Sequence, residues 1–139
     1  MKKLLSEYDI KVKGIQYHLV FKDSLTLIDG YSGIGKTLLF KQMKKDSLVN
    51  GKGFICIDYE NNQENLLQRV LNTSHDKVIV IDTAEIILNM DQRMFISLDE
   101  KNQYIVFSHV TDGFKPRKTS LTELVIKGNV GYLEYVLGD

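Results

Sequence analysis

With 139 residues, 18 Lys and Arg against 18 Asp and Glu, and a formal net charge of zero, the chain has the size of one domain. It has no global field to draw it onto nucleic acid or an acidic membrane, although a local basic patch is not excluded. Hydrophobic residues make up 43%, the balance of a soluble globular protein, and no apolar run approaches membrane-spanning length. The start, Met1 to Ser6, imitates the basic end of a signal peptide, but Glu7, Asp9 and Lys11 arrive before an apolar stretch can form. The single Cys56 cannot form an internal disulfide, which fits a reducing cytoplasm, and its place in a strand reads as a buried inert thiol.

Tyr8 to Phe21 alternate apolar and polar residues on both sides of Lys13-Gly14, the pattern of a hairpin with one buried face. Leu25 to Asp29 is strand-like, and Lys36 to Lys45 is helix-forming. Phe54-Ile55-Cys56-Ile57 is a short apolar strand of the kind covered on both faces. Asn62 to Leu71 reads as a helix with Leu66, Leu67, Val70 and Leu71 inside, followed by a buried strand, Val78 to Ile81. Ile87, Met90, Met94 and Leu98 recur at helical spacing, with a break near Asn89 and Asp91 as a new N-cap. Tyr104 to Phe107 is another buried strand, the loop 111–120 holds the only proline, and Gly128 to Gly131 turns a closing hairpin.

Between the third strand and the first helix, Gly30-Tyr31-Ser32-Gly33-Ile34-Gly35-Lys36-Thr37 spells G-x-x-x-x-G-K-T. Strand, glycine loop and helix together form the context in which this pattern binds phosphate. Glycines open conformations that let successive backbone N–H groups converge on an anion, and the helix N-terminus adds its partial positive charge. The candidate nucleotide-binding set is Gly30, Ser32, Gly33, Ile34, Gly35, Lys36, Thr37 and Leu38. Lys36 supplies a full charge at the β- and γ-phosphates, and the Thr37 hydroxyl can ligate Mg²⁺. Val78 to Asp82 is a buried apolar run ending in an acid, the Walker B pattern, which makes Asp82 the second candidate metal residue.

The order of these motifs resembles the P-loop NTPase superfamily, in its division of ABC and RecA-like ATPases reduced to a minimal core. The resemblance implies a three-layer α/β P-loop fold over 1–139, with a mainly parallel central sheet and a β-hairpin at each end of the chain. It implies that a further strand separates the Walker A and Walker B strands, that ATP and Mg²⁺ are bound, and that His109 is the switch residue near the γ-phosphate. Two departures stand out. Thr83 occupies the position after Asp82 where an ABC-type ATPase carries its catalytic glutamate, and no Ser-Gly-Gly signature is present. Two acids are candidates to activate water: Glu60, just beyond the strand Phe54–Ile57 in a RecA-like position, and Glu85, three residues after Asp82. In the loop after the fourth core strand, Arg117 reads either as a finger on a neighbour's phosphate or as part of a plain mobile loop. Arg69 and Arg93 read as surface residues of helices.

Three functions follow: a Mg-dependent ATPase with Lys36, Glu60, Glu85 and His109 as its catalytic candidates, a weakly hydrolysing binding module that presents a surface to a partner protein or another copy, and a small-molecule kinase. The absence of an Asn-Lys-x-Asp run disfavours GTP only weakly.

Overall fold

The computed structural model describes residues 3–30 and 33–136. Strands β1 (Glu7–Val12) and β2 (Ile15–Val20) pair antiparallel around Lys13 and Gly14, whose φ values of 48° and 83° are those of the hairpin turn that matches strand twist. The chain continues through β3 (Leu25–Asp29), α1 (Lys36–Asn50), β4 (Phe54–Ile57), α2 (Leu66–Thr73), β5 (Val78–Ile81), α3 (Ala84–Ile87) and α4 (Met90–Leu98). It ends with β6 (Gln103–Phe107), β7 (Leu121–Lys127) and β8 (Val130–Tyr135). Helix α1 outruns the expected Lys45 and stops at a left-handed Gly51. Helix α2 starts later than Asn62, because residues 62–65 form a turn in which the Asn62 side chain accepts the Leu67 N–H at 2.8 Å.

The expected three-layer P-loop fold, with a mainly parallel sheet and a separate hairpin at each end, is not what the chain forms. All eight strands belong to one mixed sheet, strongly curled into a half-barrel and carrying four short helices, in the order β1-β2-β8-β7-β3-β6-β5-β4. The hairpins are not appendages. β2 pairs in parallel with β8, and β7 pairs in parallel with β3, so the two ends of the chain are built into the sheet. The curl brings the two edge strands together: Tyr8 of β1 meets Phe54 of β4 edge to face, with ring centroids 5.4 Å apart. The Tyr8 hydroxyl also donates to Asp46 of α1 at 2.5 Å, tying the curled edge to the helix it encloses.

Two apolar clusters fill the two faces of the sheet. Inside the curl, Leu39, Phe40 and Met43 of α1 pack on Tyr17, Leu19, Phe107 and Leu124. On the other face, Leu67 and Val70 of α2, Ala84 of α3 and Ile96 of α4 cover Leu27, Ile79, Ile81 and Val106. Every residue of β5 and β6 is buried, as their unbroken apolar runs require. No helix among the described residues is long and apolar enough to cross a membrane.

Helix α4 carries the helical spacing of Met90, Met94 and Leu98 but does not bury it. Met90, Met94 and Leu98 are 56%, 42% and 60% exposed, whereas Arg93, Ile96 and Ser97 are buried. The capping box of Asn89 and Gln92 starts the helix two residues before the expected N-cap Asp91, which lies in the first turn. Its rotation is set by Arg93, whose guanidinium donates to the carbonyls of Leu88, Asp112 and Glu85 at 3.1, 3.0 and 3.1 Å. A buried guanidinium requires such acceptors, and satisfying it turns the apolar stripe toward solvent. Arg93 is therefore an internal staple and not the surface residue its helical setting suggests.

Arg117, read from the sequence as a finger or as part of a plain mobile loop, pairs within the chain with Asp23. Its Nε and Nη2 grip the buried Asp23 carboxylate at 2.7–3.0 Å, and Thr119 donates to the same group at 2.6 Å. Burial pushes the Asp23 carboxyl up, but the Arg117, Thr119 and Ser24 hydrogen bonds outweigh it and bring the group down to about 2.

A candidate phosphate and metal site

Strand register assembles the site. β3 and β6 run parallel from Leu25 opposite Tyr104 to Ile28 opposite Phe107, and the Ser108 N–H extends the ladder to the Ile28 carbonyl at 3.1 Å. His109 thereby arrives beside Asp29 and Gly30. β5 pairs with the other side of β6 and ends at Asp82, whose N–H donates to Ile57 at 3.0 Å. Three parallel strand ends thus converge at the N-terminus of α1, the kind of place where open α/β sheets hold ligands.

Gly33 and Gly35 sit at φ 91° and 102°, in the left-handed region closed to most side chains. Gly35 is the N-cap of α1 and has no side chain to cap the helix, so the first N–H groups keep the dipole's positive end available. Ser32 lies outside the described residues. Ile34 packs into the core and against Gly30, and Leu38 is 40% exposed, so backbone amides are what these two positions have to offer an anion.

A cavity of about 160 Å³ opens there, lined by Lys36, Thr37, Asp82, Thr83, Glu85, Phe107, Ser108 and His109. Lys36 Nζ donates to the Gly30 carbonyl at 2.6 Å and lies 3.1 and 3.2 Å from the two ring nitrogens of His109. Burial pushes its ammonium below the usual lysine range, opposed by the carboxylates of Asp29, Glu85 and Asp82. Asp82 is 7% exposed, and burial pushes its carboxyl up against the opposing Thr37 and Thr83 hydroxyls. A desolvated acid beside a hydroxyl gains most from a cation.

Thr83 is left-handed, with φ 50°, which is costly for a β-branched residue. The turn it makes directs the chain into α3 and brings Glu85 to the cavity. One Glu85 oxygen, Oε1, is buried and has no hydrogen-bond partner among the described residues. Unpaired buried carboxylate oxygens are expensive, so such a group is a strong acceptor for a proton or an ordered water. The backbone of Glu85 is fixed in turn by Arg93.

Of the sequence candidates, Lys36, Thr37, Asp82, Glu85 and His109 meet in this one cavity. Glu60 does not: it is exposed on the loop after β4 and is not part of the lining. Cys56, read as a buried inert thiol, is half-buried, and burial pushes its thiol up to about 12. Two contributors escape the motif reading. Asp29 contacts Gly30, Lys36 and His109, and only its position next to the glycine loop hinted at it. Arg93 gave no sequence signal, because a burying environment for a helix arginine is tertiary.

The oxygen donors of Thr37 and Asp82 suit Mg²⁺, which typically takes one or two protein oxygens and completes its octahedron with water and phosphate. Among the described residues there is no group of three or more His, Cys, Asp or Glu that could hold a metal by itself. Comparison with protein-family models, curated proteins and solved structures gave no match.

Proposed function

We propose that the chain binds a nucleoside triphosphate with Mg²⁺ in this cavity and hydrolyses it, as an ATPase similar to the ABC and RecA-like division, acting in the cytoplasm. The observation that carries the reading is the meeting of Lys36, Thr37, Asp82, Glu85 and His109, from three separate segments, in a single cavity at the open end of α1. The order of β3, β6 and β5 in the sheet also supports it, because β6 separates the two motif-bearing strands as the resemblance implies.

In this reading the amides of Gly33 to Thr37 hold the inner phosphates, and Lys36 compensates charge on the outer two. Thr37 and Asp82 hold the metal, which neutralises charge on the phosphate oxygens when bound. Glu85 orients water and accepts its proton, taking the role that Thr83 cannot perform. His109 contacts the terminal phosphate. Catalysis of this kind is positioning and electrostatics, so a compact site suffices.

Calorimetric titration tests it. Wild type should bind MgATP with a Kd on the order of 1–100 μM, in line with common enzyme–substrate affinities. Lys36→Ala should weaken binding by about 10–100-fold, the loss expected for a charged hydrogen-bonding partner. No binding by wild type at millimolar MgATP overturns the reading.

A second reading, a binding module that hydrolyses weakly and presents a surface to a partner protein or another copy, is favoured by one observation. Ile86, Met90, Met94 and Leu98 leave apolar side chains in solvent directly after Glu85. MgATP binding without phosphate release, alone or with added partners, distinguishes this reading from the first.

A further inference from the structure

The Asp29 carboxylate lies at the site although the phosphate-binding motif assigns it no role. It terminates β3 and is about half exposed, so its position is not a demand of the core. Its Oδ1 accepts the Gly30 N–H at 2.7 Å, lies 3.2 Å from His109 Nδ1, and is 3.8 Å from Lys36 Nζ. One oxygen thus meets the first amide of the glycine loop, the loop's lysine and the histidine.

Two consequences follow from elementary electrostatics. A carboxylate against Nδ1 favours the ring arrangement that carries a proton there, while Lys36 Nζ lies almost equally far from Nδ1 and Nε2, at 3.1 and 3.2 Å. The same carboxylate competes for the Lys36 ammonium with any phosphate that reaches it. In the phosphate-binding reading the inner phosphates lie along the loop amides, and the terminal phosphate is the one nearest His109. Repulsion by Asp29 therefore falls most on a triphosphate, whose terminal phosphate comes closest to it, and less on a diphosphate.

We propose that Asp29 is a specificity-determining and positioning residue of the phosphate site, orienting His109 and setting how strongly a nucleoside triphosphate is held relative to a diphosphate. The proposal rests on the phosphate-binding reading above. In that role Asp29 weakens triphosphate binding in exchange for a fixed histidine. The second cavity of the region, lined by Asp29, His109, Leu121 and Val136 among others, shares this wall, so a change at Asp29 is accessible to solvent and need not disturb the fold.

The test compares MgATP and MgADP titrations of the full chain as wild type, Asp29→Asn, Asp29→Glu and Lys36→Ala, with ¹⁵N spectra of the His109 ring. Asp29→Asn should bind MgATP about tenfold tighter, the change expected when one charge ~6 Å from a dianionic phosphate is removed in a water-like medium. MgADP affinity should change by less than about threefold on the same arithmetic. Asp29→Glu should restore the wild-type ratio, and the His109 spectrum should lose its Nδ1–H preference in Asp29→Asn alone. An unchanged triphosphate-to-diphosphate ratio, or an unchanged tautomer, overturns the proposal while the phosphate site stands, provided Lys36→Ala loses MgATP. If wild type does not bind MgATP, or Lys36→Ala binds it equally well, the phosphate-binding reading falls and takes the proposal with it.

Discussion

Glu85→Gln should lower steady-state phosphate release by about 10²–10³-fold, the usual scale for losing a general base, and leave MgATP affinity within about threefold of wild type. The argument is geometric. Oε1 of Glu85 is buried without a hydrogen-bond partner among the described residues, in the cavity that also holds Lys36, Thr37 and Asp82. Gln keeps the size of the side chain but replaces the basic oxygen, so binding should survive and proton acceptance should not. Glu60→Gln is the matched control, because Glu60 stands exposed outside the lining. Its turnover should stay within about twofold of wild type, as for surface changes away from the chemistry. The reverse pattern, with Glu60→Gln inactive and Glu85→Gln active, would remove Glu85 from the mechanism.

Arg117→Ala should cost about 3 kcal/mol of folding stability at pH 7, the scale for stranding one member of a buried ion pair. The Asp23 side chain is 1% exposed and would keep only Thr119 and Ser24 as partners. The pH dependence has a definite sign. The folded-state carboxyl is depressed from the usual 3.8 to about 2, so its stabilisation is complete above about pH 4 and disappears as pH falls through 2. That difference corresponds to about 2 kcal/mol at most, because the 38% exposed Arg117 is partly screened. Urea unfolding of wild type and Arg117→Ala should therefore show a gap at pH 7 that narrows toward pH 2. A gap that stays constant over this range would assign the cost to lost packing and not to the charge pair.

Much of the local structure was legible because it depends on residues close in sequence. The alternation around Lys13-Gly14, the unbroken runs of β5 and β6, and the glycine loop before α1 each announce an element without help from the rest of the chain. What the alternation could not reveal was the partner of each hairpin. β2 meets β8 and β3 meets β7 across most of the chain's length, and those pairings convert two expected appendages into one curled mixed sheet.

The same division runs through the site. Lys36, Thr37, Asp82, Glu85 and His109 could be chosen by motif and spacing, but the choice between Glu60 and Glu85 needed the left-handed turn at Thr83. The Met and Leu stripe of helix α4 is legible as helical spacing, but spacing alone does not say which way it faces. Arg93, a single residue whose three carbonyl acceptors come from separate turns, decides which side faces in.

The most direct test of the central claim is a crystal structure of the chain with Mg²⁺ and a non-hydrolysable ATP analogue. The account predicts the β- and γ-phosphates against the amides of Gly33 to Thr37, the metal between Thr37 and Asp82, and Glu85 facing the terminal phosphate. An analogue bound elsewhere, or phosphates in this cavity with Lys36 and Asp82 unengaged, would contradict it.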